Sequence, residues 1–234
     1  MRDDGAAGPL GEPLARAYGW ARPERRVLDG RLVRLEPLSR ERHGADLFQA
    51  SHRDEQARRM WTYLFQGPFP DAAAYGAWLD TAERSEDPVF FALVDRADGR
   101  AKGQASLMRI TPEMGVIEVG NIWYAPAVQR TALPTEAMLL LFSSVFDELG
   151  DRRLEWKCNA LNAPSRRAAE RLGFAYEGTF RQHMVVKGRN RDTAWFAILD
   201  RDWPGVRAAI EAWLAPANLD ADGRQRSRLE DFRA

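Results

Sequence analysis

At 234 residues the chain exceeds one typical domain of roughly 150 residues and falls short of two, so one domain with extended termini is expected. Hydrophobic residues at 45% can fill a core and exclude a disordered chain. The 34 basic and 34 acidic side chains cancel, which argues against a protein that coats nucleic acid or anionic membrane.

Residues 1–27 are rich in glycine and proline and read as a flexible N-terminal arm, with Tyr18 and Trp20 available to dock on the body. The alternation over residues 31–35 predicts a strand. Helices are expected at 40–51, 53–64 and 71–83, the last with Asp71 as N-cap after Pro70. Three strands follow: the apolar run 89–94, then 102–110 after the turn ADGR, then 116–124 after TPEMG. Met138, Leu141, Phe142, Val145, Phe146 and Leu149 recur at helical spacing and predict an amphipathic helix over 135–149. A strand at 153–158, a helix at 165–172 closed by Gly173, strands at 174–186 and 192–199 around KGRN, and a helix at 204–214 complete the chain. The tail QRSRLEDFR, mixed in sign, reads as a frayed end. A strand–helix–strand crossover among antiparallel meanders predicts an α/β fold: a mixed, mostly antiparallel sheet with helices on both faces. The expected organisation is an arm (1–27), one catalytic-sized domain (28–203) and a C-terminal helix and tail (204–234).

Several classes are excluded by what these segments lack. Cys158, the single cysteine, cannot form an internal disulfide and predicts a reducing, cytoplasmic setting. No apolar run approaches the roughly 18 residues of a spanning helix, and the N-terminus lacks the apolar centre of a secretory signal. His43, His52, His183 and Cys158 have no zinc-like spacing, so no metal is expected.

Two segments carry chemistry. Strand 116–124 feeds the loop APAVQRTALPTEA and then the long helix, placing unpaired amides and the positive end of a helix dipole where an anion can sit. Pro134 suits the first turn of that helix, while Thr131, Thr135 and Arg130 add hydroxyls and a charge. An ordinary capped helix with a surface arginine is the competing reading. In NALNAPSRRAAERLGF, Pro164 pushes Ala163 out of helical geometry, so Ala163 is expected at the N-cap and the Asn162 amide is left free. A turn asparagine bonded to its own backbone is the alternative.

The stretches IEVGNIWYAPAVQRTALPTEAMLLL (117–141), NAPSRRAAERLGFAYEGTFRQHMV (162–185) and RNRDTAWFAILDRDWP (189–204) resemble the GCN5-related N-acetyltransferases, and within them the RimJ/RimL-like branch. The resemblance covers about residues 29–203. It implies a sheet splayed at a β-bulge near Asn121 and acetyl-CoA as co-substrate. The main chain of Ile122, Trp123 and Tyr124 would run beside the pantetheine arm. The amides of Gln129, Arg130, Thr131, Ala132, Leu133 and Thr135 would hold the pyrophosphate, and Asn162 and Ser165 would touch the pantetheine or thioester end. The chain departs from the family pattern in two places. Both glycines of the pyrophosphate loop are replaced, and Ala169 stands where many members have a tyrosine that protonates the leaving thiolate, with Ser165 as a substitute by proximity.

The activity so implied is transfer of acetyl from acetyl-CoA to a primary amine, a protein N-terminus or a small amine, by direct attack in a ternary complex. Proximity would supply most of the acceleration. Partners expected are acetyl-CoA and the acceptor, with a homodimer compatible and neither nucleic acid nor membrane. Glu118, on the cleft face of its strand, is the favoured general base, against the reading of a glutamate paired with Arg109 across the hairpin. His183, on a late strand bordering the acceptor side, is the second candidate, and water the third. The missing glycines and tyrosine motivate a competing function, a catalytically silent acyl-CoA-binding or interaction module of the same fold.

Overall fold

The computed structural model describes residues 11–14, 19–221 and 224–233; Tyr18, expected to dock with Trp20, lies outside them. The elements in chain order are β1 (Leu28–Asp29), β2 (Val33–Pro37), α1 (Arg40–His52), α2 (Glu55–Arg58), α3 (Ala72–Arg84), β3 (Val89–Asp95), β4 (Ala101–Thr111), β5 (Val116–Tyr124), α4 (Ala132–Ser143), β6 (Arg153–Asn159), α5 (Ala163–Arg171), β7 (Ala175–Val186), β8 (Arg189–Leu199) and α6 (Trp203–Leu214). The strands form an eight-stranded sheet in the order β1-β2-β3-β4-β5-β6-β8-β7. β5 and β6 pair in parallel, and every other neighbouring pair is antiparallel. The expected mixed, mostly antiparallel fold is thus the observed one.

The apolar run of β3 shows why the sheet needs cover on both sides. Val89, Phe91 and Leu93 enter the core shared with α4 and α6, while Phe90, Ala92 and Val94 enter the core shared with α1 and α3. A strand buried on both faces has no polar alternation to show.

At the centre, Glu118 pairs with Glu155 and the parallel pairing of β5 with β6 stops there. On the other side of β5, Gln104 faces Trp123 and Ser106 faces Gly120, so β5 carries one extra residue. The bulge falls at Asn121, whose φ of 53° is a left-handed conformation that asparagine tolerates better than most side chains. β5 and β6 therefore diverge, and the gap between them is the site described below.

Several expectations need correction. The helix expected at 53–64 is broken: the Asp54 carboxylate accepts from Ala57 N and restarts the chain as the short α2, followed by a 3₁₀ turn at Arg59–Trp61. Asp54 competes as a cap, and Trp61 is fixed by burial rather than by helical continuation. The helix expected from residue 135 begins at Ala132, which puts Pro134 within its first turn, and it continues as a π-helical turn over Ser144–Leu149. The N-cap of α5 is Asn162, not Ala163: its side-chain oxygen accepts from Ser165 N at 3.2 Å, so the amide is committed at that atom. Ala163 enters the first helical turn despite the following proline, because the cap bond holds the turn closed.

The tail is not frayed. Asn218 is a buried corner: its Nδ2 donates to Trp213 O at 2.9 Å and its Oδ1 accepts from Ser227 N at 3.0 Å. Trp213 Nε1 donates to Ser227 O, Arg233 donates to Glu170 O, and Leu229 is only 1% exposed. Apolar anchors inside the mixed charge outweigh its polar composition. At the other terminus Trp20 is buried, with Nε1 donating to Gly150 O at 2.7 Å and its ring against Gly115, where a Cβ would come within 2.6 Å. Among the described residues no helix is long and apolar enough to cross a membrane.

Candidate active site

Where β5 leaves β6, a cavity of about 1150 Å³ opens. β5 from Glu118 to Tyr124 lines one side, and the ends of β6 and α5 line the other. The first turn of α4 and the tail from Gln225 to Glu230 close one end, and Met60, Tyr63 and Phe65 also line the cavity, Met60 Sδ accepting from Gln129 Nε2 at 3.4 Å. The β6-facing edge of β5 beyond Glu118 has no strand partner, which leaves its peptide groups available to an extended ligand.

The loop entering α4 reaches a left-handed conformation without glycine: Arg130 has φ 64°. Thr131 is the N-cap, but its hydroxyl donates to Val128 O at 2.8 Å and no side chain caps the first-turn amides. Gln129 Nε2 donates to Tyr124 O at 2.9 Å and ties the loop to the end of β5. Thr135 is buried and accepts from Arg171 Nη1 at 3.2 Å. Arg171 in turn lies over the Trp213 ring at 4.6 Å. Arg130, Arg167, Arg171, Arg226 and Arg228 all line this end of the cavity. Uncapped amides at a helix N-terminus among arginines suit a polyanion. Arg167 and Arg171 project from α5 into this wall.

Near α5 the groups are smaller. Ser165 Oγ accepts from Trp156 Nε1 at 3.0 Å, and Asn162 lines the cavity beside it. Cys158 is buried on β6, and burial pushes its thiol up, against a hydrogen bond from Ser165. Ala169 is fully buried in the core, so no hydroxyl is offered from that position. Burial also pushes the Tyr124 phenol up, the Arg171 charge pulling the other way.

Glu118 is 3% exposed and lines the cavity at the point of splay. Its Oε2 takes both of its ion pairs, Arg109 Nη1 at 2.6 Å and Lys157 Nζ at 3.0 Å. The pairing with Arg109 considered from the sequence is present, and Lys157 joins it. Oε1 makes neither bond. His183 lies on the far edge strand β7, with Nδ1 at 3.0 Å from Thr193 Oγ1 and its ring beside Phe180 and Trp195; it does not line this cavity. The structure therefore brings together Glu118, Ile122, Trp123, Tyr124, Gln129, Arg130, Thr131, Thr135, Asn162 and Ser165, and leaves His183, Ala132 and Leu133 outside the lining. Sequence reasoning missed Lys157, Arg191 and the tail. The one available signal was for Lys157, a lysine that shares a face with Glu155 in an alternating strand at the centre of the expected sheet.

Residues 32–175 match the family model described as an acetyltransferase (GNAT) domain. A GCN5-related N-acetyltransferase from Brucella melitensis, known from a crystal structure, is 51% identical, with a TM-score of 0.91 over 94% of this chain and 99% of that one. YdaF of Bacillus subtilis, provisionally named a ribosomal N-acetyltransferase, is 31% identical over 110 residues. That alignment spans 47% of this chain and 60% of YdaF, and it supports the RimJ/RimL-like placement. The fold is also that of Mycobacterium smegmatis RimJ, solved in complex with CoA-disulfide, at 20% identity and a TM-score of 0.65 over 80% of this chain and 90% of that one. With most of its fold and its splayed strands accounted for, the chain belongs to the GNAT acetyltransferases.

Proposed function

We propose that this acetyltransferase moves acetyl from acetyl-CoA to a primary amine by direct attack in a ternary complex. The carrying observation is the unpaired edge of β5 beyond Glu118, which leads from a buried carboxylate to an uncapped helix N-terminus ringed by arginines. That sequence of surfaces fits an elongated ligand with a thioester at one end and phosphates at the other. The peptide groups of Ile122, Trp123 and Tyr124 would hold the pantetheine arm. The loop at the N-terminus of α4, with the side chains of Arg130 and Arg171, would hold the pyrophosphate. Bound acetyl-CoA supplies the thioester, and a thiol is a tolerable leaving group, since it titrates near pH 8–9.

Glu118 would take the proton of the acceptor ammonium at Oε1, directly or through one water, while Oε2 stays on Arg109 and Lys157. Direct attack, rather than an acyl-cysteine, fits Cys158: a thiol pushed up by burial is a poor nucleophile. A cysteine that needs no disulfide also fits a cytoplasmic enzyme. The names of the RimJ and ribosomal N-acetyltransferase relatives make peptide N-termini the first acceptors to try.

The test is release of free thiol from acetyl-CoA across N-terminal peptides and small amines. Acceptor-dependent release, with the acetyl group found on the amine, is expected. Acetyl-CoA binding without release from any amine would leave a binding module instead.

A further inference from the structure

Six charged side chains alternate along the cleft and the strands beside it. Arg109 Nη1 meets Glu118 Oε2 at 2.6 Å, and Lys157 Nζ meets Glu118 Oε2 at 3.0 Å and Glu155 Oε2 at 2.5 Å. Arg153 meets Glu155 Oε1 at 2.8 Å and Glu177 Oε2 at 2.5 Å. Three cations and three carboxylates close this ladder, so it has no negative charge to spare.

Arg191, on β8, stands outside it. The residue is 5% exposed, lines the cavity, and forms no ion pair among the described residues. Its Nε is buried without a hydrogen-bond partner, and its guanidinium carbon lies 5.0 Å from the centroid of the Phe65 ring. The charges it faces are Glu118 and Arg109, beside the Cys158 thiol, and burial pulls the guanidinium below its ordinary value. A ring face offsets only part of the cost of taking a guanidinium out of water. The Glu118 charge offsets a further part, but it is shared with Arg109 and Lys157 and leaves burial the larger effect.

We propose that Arg191 is the residue that recognises the acceptor, and that the acceptor is a primary amine carrying a carboxylate. The carboxylate would sit bidentate on Arg191 while the amine faces Glu118 Oε1, so one ligand completes both halves of the site. The phosphates of CoA are a poorer match for this arginine. Their arginines surround α4, next to Tyr124, and Tyr124 is six residues from Glu118 along β5, a distance of roughly 15–20 Å. The inference rests on reading the cleft as an acetyl-transfer site and goes beyond it by naming the acceptor's chemistry.

The experiment compares matched acceptors. Peptides with a free α-amine and Asp or Asn in the second position test a side-chain carboxylate. Free alanine against alaninamide tests an α-carboxylate. The wild type should favour the acid of at least one pair by about tenfold or more in KM. In Arg191→Met the acid-to-amide ratio of kcat/KM should fall to about one, and Arg191→Lys should retain part of it. The melting temperature of Arg191→Met should not drop, since the change removes a buried unpaired cation. Equal KM values within both pairs in the wild type, or a ratio unchanged in Arg191→Met, would overturn the proposal. So would a lowered melting temperature with equal loss on acid and amide, the mark of a structural arginine. A second arm needs no turnover: calorimetry of the N-acetylated Asp and Asn peptides, and of N-acetylalanine and its amide. Tighter binding of an acid, lost in Arg191→Met, supports Arg191 as the anion site even if no amine is acetylated; equal binding within both pairs overturns it.

Discussion

Glu118 carries two cations on one carboxylate oxygen and keeps the other turned toward Gly120. The two oxygens can therefore differ in role: Oε2 fixes the side chain at the splay point, and in the proposed reaction Oε1 would face the amine. Glutamine at this position keeps the shape but cannot accept the proton. Glu118→Gln should lower turnover by about 10²- to 10⁴-fold, the usual contribution of a general base, while calorimetry finds acetyl-CoA affinity retained. Unchanged turnover would return the carboxylate to a purely structural role and leave the proton to water or His183. Asn162 gives the opposite lesson. Its oxygen was legible as a ligand group but is spent on capping α5, a local bond that competes with any function at that atom.

At the scale of elements, α1 and the segment after α2 are joined through a neutral histidine. His52 Nε2 accepts from Phe69 N at 2.9 Å, and its Nδ1 lies 2.8 Å from Ser51 Oγ, which itself donates to Leu47 O. Only a neutral ring with its proton on Nδ1 satisfies all three. Burial, then the Arg58 charge, lowers the His52 pKa; burial also lowers that of His43. The unfolded chain then takes up these protons first, near pH 6.5, so stability falls as pH drops from about 6.5 toward the lower folded values. Thermal melting should show a lower midpoint at pH 5.5 than at pH 7.5. His52→Gln, which keeps an acceptor for Phe69 N, should flatten that difference; a midpoint independent of pH would contradict the assignment. Most elements were legible locally. Asp71 caps α3 through Ala74 N at 2.8 Å, and Gly173, at φ 102°, ends α5. The region 53–64 was not, because Asp54 and the burial of Trp61 override its helical pattern.

For the molecule as a whole, Trp20 before β1 and the segment 225–233 after α6 both pack on the body. Trp20 closes the corner between the β4–β5 turn and the end of the π-helical turn. The tail returns past Asn218 to place residues 225–230 in the wall of the cleft. Leu229→Ala removes a side chain that is 1% exposed and should cost about 2–5 kcal/mol, read from denaturant midpoints. Because the anchor and the wall are the same segment, acetyl-CoA binding should weaken with it, and calorimetry would detect that. Full affinity in a destabilised variant would show that the tail supports the fold without shaping the cleft.

The sequence by itself determined the mixed α/β class, the succession of strands and helices along the chain and the loop before α4, while the bulge near Asn121 came from the family resemblance. The first three depend on apolar periodicity, turn residues and spacing, which act over a few neighbouring residues. Only the tertiary structure decided which charges are satisfied. Arg109, Glu118, Lys157 and Arg191 come from four different strands, and whether each finds a partner depends on burial and register across the sheet. The zero net charge of the chain hides this, because a balanced total does not require a balanced cleft. A neutral molecule can keep a guanidinium in the wall of its cleft without an ion pair, as Arg191 is among the described residues.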